Sequence, residues 1–186
     1  MRQAGARSLE AVNRWTYAVA RIDPTLQDMA CTFTALVLRG REAHVMHVGD
    51  TRLYRLRNDS LTLLTDDHTL SGAGRNHILT RAIGTASAIQ IDYAMEEMRV
   101  HDRFLLCSDG VHGVLPDRHL CEELARRTAP DEAAAQIVNA ALAARSDDNV
   151  TALVIDVVGL PAANFLDLQL SAAALPIVPR PVRGRQ

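Results

Sequence analysis

The chain has 186 residues, 48% of them hydrophobic and 23% charged, which suits one ordinary domain with a core of its own. A formal net charge of −2 excludes the bulk positive field that draws nucleic acid or an anionic membrane. The longest apolar runs, such as Leu153 to Val158, are too short to span a bilayer, so no membrane segment is expected. Met1 to Arg7 is followed by no apolar stretch of leader type, which makes the cytoplasm the default location. Cys31, Cys107 and Cys121 form no C-x-x-C pair and are expected to be buried small hydrophobes in a reducing compartment.

In chain order, Leu9, Val12, Asn13, Tyr17 and Val19 recur around Trp15 at helical spacings and predict a helix over about 8–21, ended by Asp23-Pro24. Thr32 to Leu38 and Ala43 to Val48, with Gly40 between them, predict a hairpin. Leu53 to Leu56 and Leu61 to Leu64 flank Asn58-Asp59 and predict a second. Met95 to Val100 and Phe104 to Cys107 read as a further pair around His101-Asp102-Arg103. Such closely spaced hairpin signals favour antiparallel sheets over a doubly wound parallel one. Pro116-Asp117 then starts a helix with Leu120 and Leu124 on one face. Thr128 with Asp131 suggests a capping box, and Pro130 suits a first helical turn. Ile137, Val138, Ala141 and Leu142 mark the buried face of that second helix, and Thr151 to Val158 closes the series as a strand. Beyond Gly159 the prolines at 161, 176, 179 and 181 and an Arg-rich end predict a linker or disordered tail over 159–186.

Three aspartates fall where strands should end: Asp50 in V-G-D-T-R, Asp109 in L-L-C-S-D-G, and Asp148 just before the last strand. Carboxylates at strand ends, distant in sequence, can meet on one edge of a sandwich. Oxygen ligands of this kind suit hard divalent cations, which also offset their mutual repulsion. No thiolate or histidine pair has zinc-like spacing, so magnesium or manganese is the better match. Taken singly each aspartate is an ordinary turn or cap residue.

Together the motifs resemble the metal-dependent serine/threonine protein phosphatases of the PPM (protein phosphatase 2C) family over about residues 8–158. M-A-C-T-F-T at 29–34 is similar to the family's M-G-T-T, and V-G-D-T-R-L-Y at 48–54 to its V-G-D-S-R-x-Y. L-T-D-D-H-T at 64–69, L-T-R-A-I-G at 79–84, L-L-C-S-D-G-V at 105–111 and D-D-N-V-T at 147–151 follow in family order. The resemblance implies an α+β fold: an antiparallel β-sandwich flanked by helices in α-β-β-α layers, without the family's first strands. It implies Mn2+ or Mg2+, two to three ions in the complete domain, with Asp109 and Asp148 at the two-metal centre. Asp50, with Asp109, matches the pair associated with a weaker third metal. A metal-bound water would attack phosphoserine or phosphothreonine in a phosphoprotein substrate. Arg52 reads as a structural partner of a carboxylate, His68 as a residue that fixes a turn, and His112 as within reach of the site edge.

The family's opening motifs, including D-G-x-G-G with the aspartate that bridges both metals, have no counterpart between Met1 and Asp28. The expectation is therefore a partial phosphatase domain over 1–158, weakly active or inactive alone. A pseudophosphatase or regulatory binding module with the same fold is the alternative, and an inert gene fragment a further one. The short S-G-A-G stretch after His68, N-R-W at 13–15 and the proline-rich tail resemble bacterial phosphatases fused to protein kinases, which suggests a cognate kinase as partner.

Overall fold

The computed structural model describes residues 2–70 and 78–162. The linker reading falls mostly on 163–186, and the S-G-A-G stretch on 71–74; both lie outside the described residues.

The first helix, α1, runs Arg2–Ile22, longer than the sequence pattern predicts, with a 3-10 turn at Pro24–Leu26 that Asp23 caps through the Thr25 amide. Seven strands follow among the described residues: β1 (Phe33–Arg39), β2 (Glu42–Val48), β3 (Arg52–Arg57), β4 (Ser60–Leu63), β5 (Asp92–Glu97), β6 (Arg103–Cys107) and β7 (Ala152–Asp156). Between β6 and β7 lie α2 (Asp109–His112), α3 (Asp117–Ala125) and α4 (Pro130–Ala143). All pairings are antiparallel, in one sheet of order β1-β2-β5 and another of order β4-β3-β6-β7.

Side-chain alternation on β3 and β6 explains the layering. Leu53 and Phe104 point between the sheets and pack with Ala43, Val45, Met98 and Val157. Tyr54, Leu56, Leu105 and Cys107 point the other way, onto Leu120 and Leu124 of α3 and Ile137 and Ala141 of α4. On the far side of the first sheet, a Cβ at Gly5 of α1 would overlap the Met46 side chain, and Arg2 lies over the Tyr93 ring at 5.3 Å. The order of layers is helix, sheet, sheet, helices, which is the α-β-β-α sandwich predicted. No helix among the described residues is long and apolar enough to cross a membrane.

The two early hairpins form as predicted. Gly40 takes φ +58° in the first, and Asn58 and Asp59 take φ 50° and 57° in the second, the twist that closes a two-residue turn. Four expectations do not hold. β5 and β6 are not a hairpin: β5 pairs with β2, while β6 sits between β3 and β7. The intervening chain crosses from one sheet to the other at Asp102, whose carboxylate takes two hydrogen bonds of 2.6 Å from Arg57 and one from the Arg99 amide. The capping box is not made either. Ala129 is the N-cap of α4, and the Thr128 carbonyl instead accepts from buried Arg103, which also pairs with Asp156. Leu142 turns to solvent while Ala133 takes the buried place beside Ile137 and Ala141. Finally, Cys31 is exposed, Cys121 is half-buried, and only Cys107 belongs to the core.

Candidate metal centre

Strand register brings the three aspartates to one edge. β3 starts at Arg52, opposite Cys107 at the end of β6, and Cys107 is in turn opposite Ala152 at the start of β7. Asp50 precedes β3 by two residues, Asp109 follows β6 by two, and Asp148 precedes β7 by four. All three therefore leave the four-stranded sheet at the same end.

Two local devices hold the rim. Ser108 donates its hydroxyl to the Asn149 carbonyl at 2.9 Å and accepts the Thr151 amide at 3.0 Å, so the strand end carrying Asp109 is tied to the loop carrying Asp148. Gly110 permits the approach: a Cβ there would come to 2.5 Å from the Asn149 carbonyl oxygen and 3.3 Å from that of Asp148. On the other side, the His112 ring donates from Nε2 to the Asp50 carbonyl at 2.9 Å, linking α2 to the Asp50 turn. His112 thus does reach the site edge. Burial, then the nearby Arg52 guanidinium, holds its imidazole below the usual histidine range.

Asp50 is buried, and burial followed by the neighbouring Asp109 carboxylate pushes its carboxyl above the usual range. A carboxyl held up beside a second carboxylate in this way makes, with that neighbour, a donor pair a hard cation would relieve. The fit is partial: no group of three His, Cys, Asp or Glu side chains among the described residues is arranged to grip a single ion. Asp148 turns its Oδ1 to the adjacent Asn149 amide at 2.6 Å.

Arg52 is committed to structure, as its spacing predicts. It grips Asp67 through Nε and Nη2 at 2.7–3.2 Å and donates to the Tyr54 hydroxyl, which passes a hydrogen bond to Asp117. Burial raises the Asp67 carboxyl, but the Arg52 fork outweighs it and holds the group below its ordinary value. His68 fixes a turn, also as predicted: its Nδ1 accepts the Gly49 amide at 3.0 Å, and its own amide donates to the Gly49 carbonyl at 2.8 Å. Sequence reasoning did not single out Ser108, Asp67 or Asp92. Ser108 and Asp67 stand within quoted motifs while Asp92 lies outside them, and the available signal was that Ser108 directly precedes a candidate ligand.

The Protein phosphatase 2C family profile matches residues 2–147. The serine/threonine protein phosphatase PstP of Mycobacterium tuberculosis is 33% identical over 168 residues, covering 81% of this chain and 32% of that protein. The serine/threonine phosphatase stp of Listeria innocua is 27% identical over 165 residues, covering 81% of this chain and 66% of its own length. Among solved structures, the catalytic domain of PstP in complex with two manganese ions superposes with a TM-score of 0.75 at 31% identity, covering 83% of this chain and 70% of that one. PppA of Pseudomonas aeruginosa gives 0.76 at 31% identity, covering 80% and 66%. The chain thus spans about a third of the mycobacterial relative and just under two thirds of the Listeria one. With the sheet order, the rim and these likenesses in agreement, the chain belongs to the Protein phosphatase 2C family.

Proposed function

We propose that Asp109, Asp148 and Asp50 hold Mn2+ or Mg2+ and serve hydrolysis of phosphoserine and phosphothreonine in proteins. The observation that carries this reading is the common edge: three carboxylates from separate segments leave one sheet beside the Ser108–Asn149 tie. An all-oxygen donor set selects hard cations over zinc. Cations held by these carboxylates would lower the pKa of a bound water and offset charge on the phosphoryl oxygens. Asp109 and Asp148 would anchor the principal pair, and Asp109 with Asp50 a weaker third position. The two manganese ions of the PstP structure support the choice of metal.

The natural substrate class is a phosphoprotein, the opposing partner a cognate protein kinase, and the setting the cytoplasm. Residues 1–158 are read as the phosphatase portion and the remainder as a linker. The 186 residues contain no D-G-x-G-G. That motif's aspartate bridges the paired metals in the family, so hydrolysis by these residues alone is expected to be low, because positioning of the attacking group accounts for most of such a rate. A second reading is a binding module that keeps the fold without turnover. Phosphate release from a phosphothreonine peptide separates the two, measured with Mn2+ after joining the chain to a D-G-x-G-G-bearing segment of a relative. Metal-dependent release that Asp109→Asn abolishes supports the enzyme; no release above background supports the binding module.

A further inference from the structure

The turn that carries Asp50 is held residue by residue from outside. Gly49 takes φ +113° directly against Thr32, where a Cβ would come to 2.5 Å. Its amide donates to His68 Nδ1 and its carbonyl accepts the His68 amide. The Asp50 carbonyl accepts from His112, and the Thr51 hydroxyl donates to the Thr34 hydroxyl at 2.5 Å, whose own proton goes to His47 Nδ1. A backbone amide can only donate, so His68 Nδ1 is the bare nitrogen and the ring proton sits on Nε2.

That proton has a partner. His68 Nε2 donates to Asp92 Oδ2 at 3.1 Å, and Arg81 holds the other oxygen of the same carboxylate at 2.8 Å. The His47 ring packs against His68 with centroids 4.7 Å apart, itself fixed by the Thr34 hydroxyl and the Asp66 carbonyl. None of these groups belongs to the Ser108–Asn149–Thr151 tie that joins Asp109 to Asp148. The rim therefore has two supports, which meet where His112 of α2 reaches the Asp50 carbonyl.

We propose that His68 is the positioning residue of Asp50: as the Nε2–H tautomer it fixes the Gly49 amide, and through the backbone the Asp50 carboxylate, by contacts other than those of the Ser108 tie between Asp109 and Asp148. The inference rests on the cation-site reading above and adds that the site is built in two halves, one of which is loosened by changing a side chain that touches no cation. Partners that orient a ligand in this way are commonly worth about 10–100-fold in metal affinity. Asn at position 68 can present its amide oxygen where Nδ1 lies, so it should restore the Gly49 bond while losing the reach to Asp92.

The test uses the intact chain, titrated with Mn2+ and followed by the paramagnetic resonance of the free ion, alongside amide hydrogen exchange in metal-free buffer. The expected result is a weaker class of Mn2+ sites that Asp50→Asn removes. His68→Ala should weaken that class about 10–100-fold, and His68→Asn should recover most of the loss. In the metal-free chain, His68→Ala should speed exchange at 49–51 and leave 149–151 unchanged. Asp92→Ala, at a side chain one-third exposed, serves as a milder variant that keeps the fold and should shift the same readouts in the same direction. Unchanged exchange at 49–51, or Mn2+ affinity of His68→Ala within about threefold of wild type, overturns the positioning role. Accelerated exchange at 49–51 in a chain that takes up no Mn2+ leaves His68 as the holder of the turn and sinks the cation-site reading instead.

Discussion

Gly110 lies so close to the Asp148–Asn149 backbone that a single methyl group there would fall 2.5 Å from the Asn149 carbonyl oxygen. Backbone on one side and the start of α2 on the other leave neither partner free to yield. Gly110→Ala should therefore open the rim between Asp109 and Asp148. The expected cost is about 1–3 kcal/mol of stability, the usual range for overpacking. It should come with weakened Mn2+ uptake, read by urea unfolding and by metal titration of the same sample. A variant with wild-type uptake would show that the contact does not set the site.

Arg103 is buried at the start of β6, with two 2.6 Å bonds to Asp156 and further ones to the Leu124 and Thr128 carbonyls. Arg103→Ala strands a carboxylate and two carbonyls at once. Loss of a charged hydrogen-bond partner from a half-buried carboxylate, with two carbonyls left unpaired, costs about 1–3 kcal/mol, so the variant should unfold at lower urea concentration. A shift worth less than about 1 kcal/mol would mean that water replaces the guanidinium.

Asp102 supplies a pH dependence. Burial raises its carboxyl, but the Arg57 fork and the Arg99 amide outweigh burial and hold it below the ordinary value. The folded group is thus the stronger acid. Its contribution is fully present above the unfolded carboxylate pKa of about 3.9, and it is lost as pH falls through the lower folded value. Asp102→Asn should be less stable than wild type at pH 6, with the gap closing in strongly acidic urea titrations. A gap of constant size would assign the loss to packing.

The cysteines should separate by reactivity. Cys31 is exposed, whereas burial pushes the Cys107 thiol up to about 12. Mapping of the folded chain after brief iodoacetamide treatment should find Cys31 modified and Cys107 intact, with Cys107 reacting only in denaturant. Early labelling of Cys107 would indicate that the sheet–helix core opens under native conditions.

The parts of this fold that sequence makes plain are those governed by near neighbours. The apolar runs between Phe33 and Leu63 yield both hairpins because turn residues Gly40 and Asn58-Asp59 fix register locally. The partner of β5 was not legible. Its alternation says which residues share a face, but nothing in Asp92–Glu97 says that the strand returns to β2 across the whole stretch from Gly49 to Ile91. Thr128 is not the cap because α4 takes Ala129 as its N-cap, one residue later, while the Thr128 carbonyl goes to Arg103, 25 residues away. At the site, Asp50, Asp109 and Asp148 were legible as strand-end carboxylates. Of their supports, His68 was legible as a residue that fixes a turn, whereas Ser108 was not, since it acts on a backbone carbonyl 41 residues distant. Hydrogen bonds to main chain leave no trace in the identity of the residue they reach.

Calorimetric titration of the intact chain with MnCl2, repeated on Asp109→Asn and Asp148→Asn, puts the shared rim to the most direct trial. Saturable uptake that either substitution weakens by an order of magnitude or more is the predicted outcome. Uptake indifferent to both substitutions, or none in the unaltered chain, would contradict a common cation site at the end of β6.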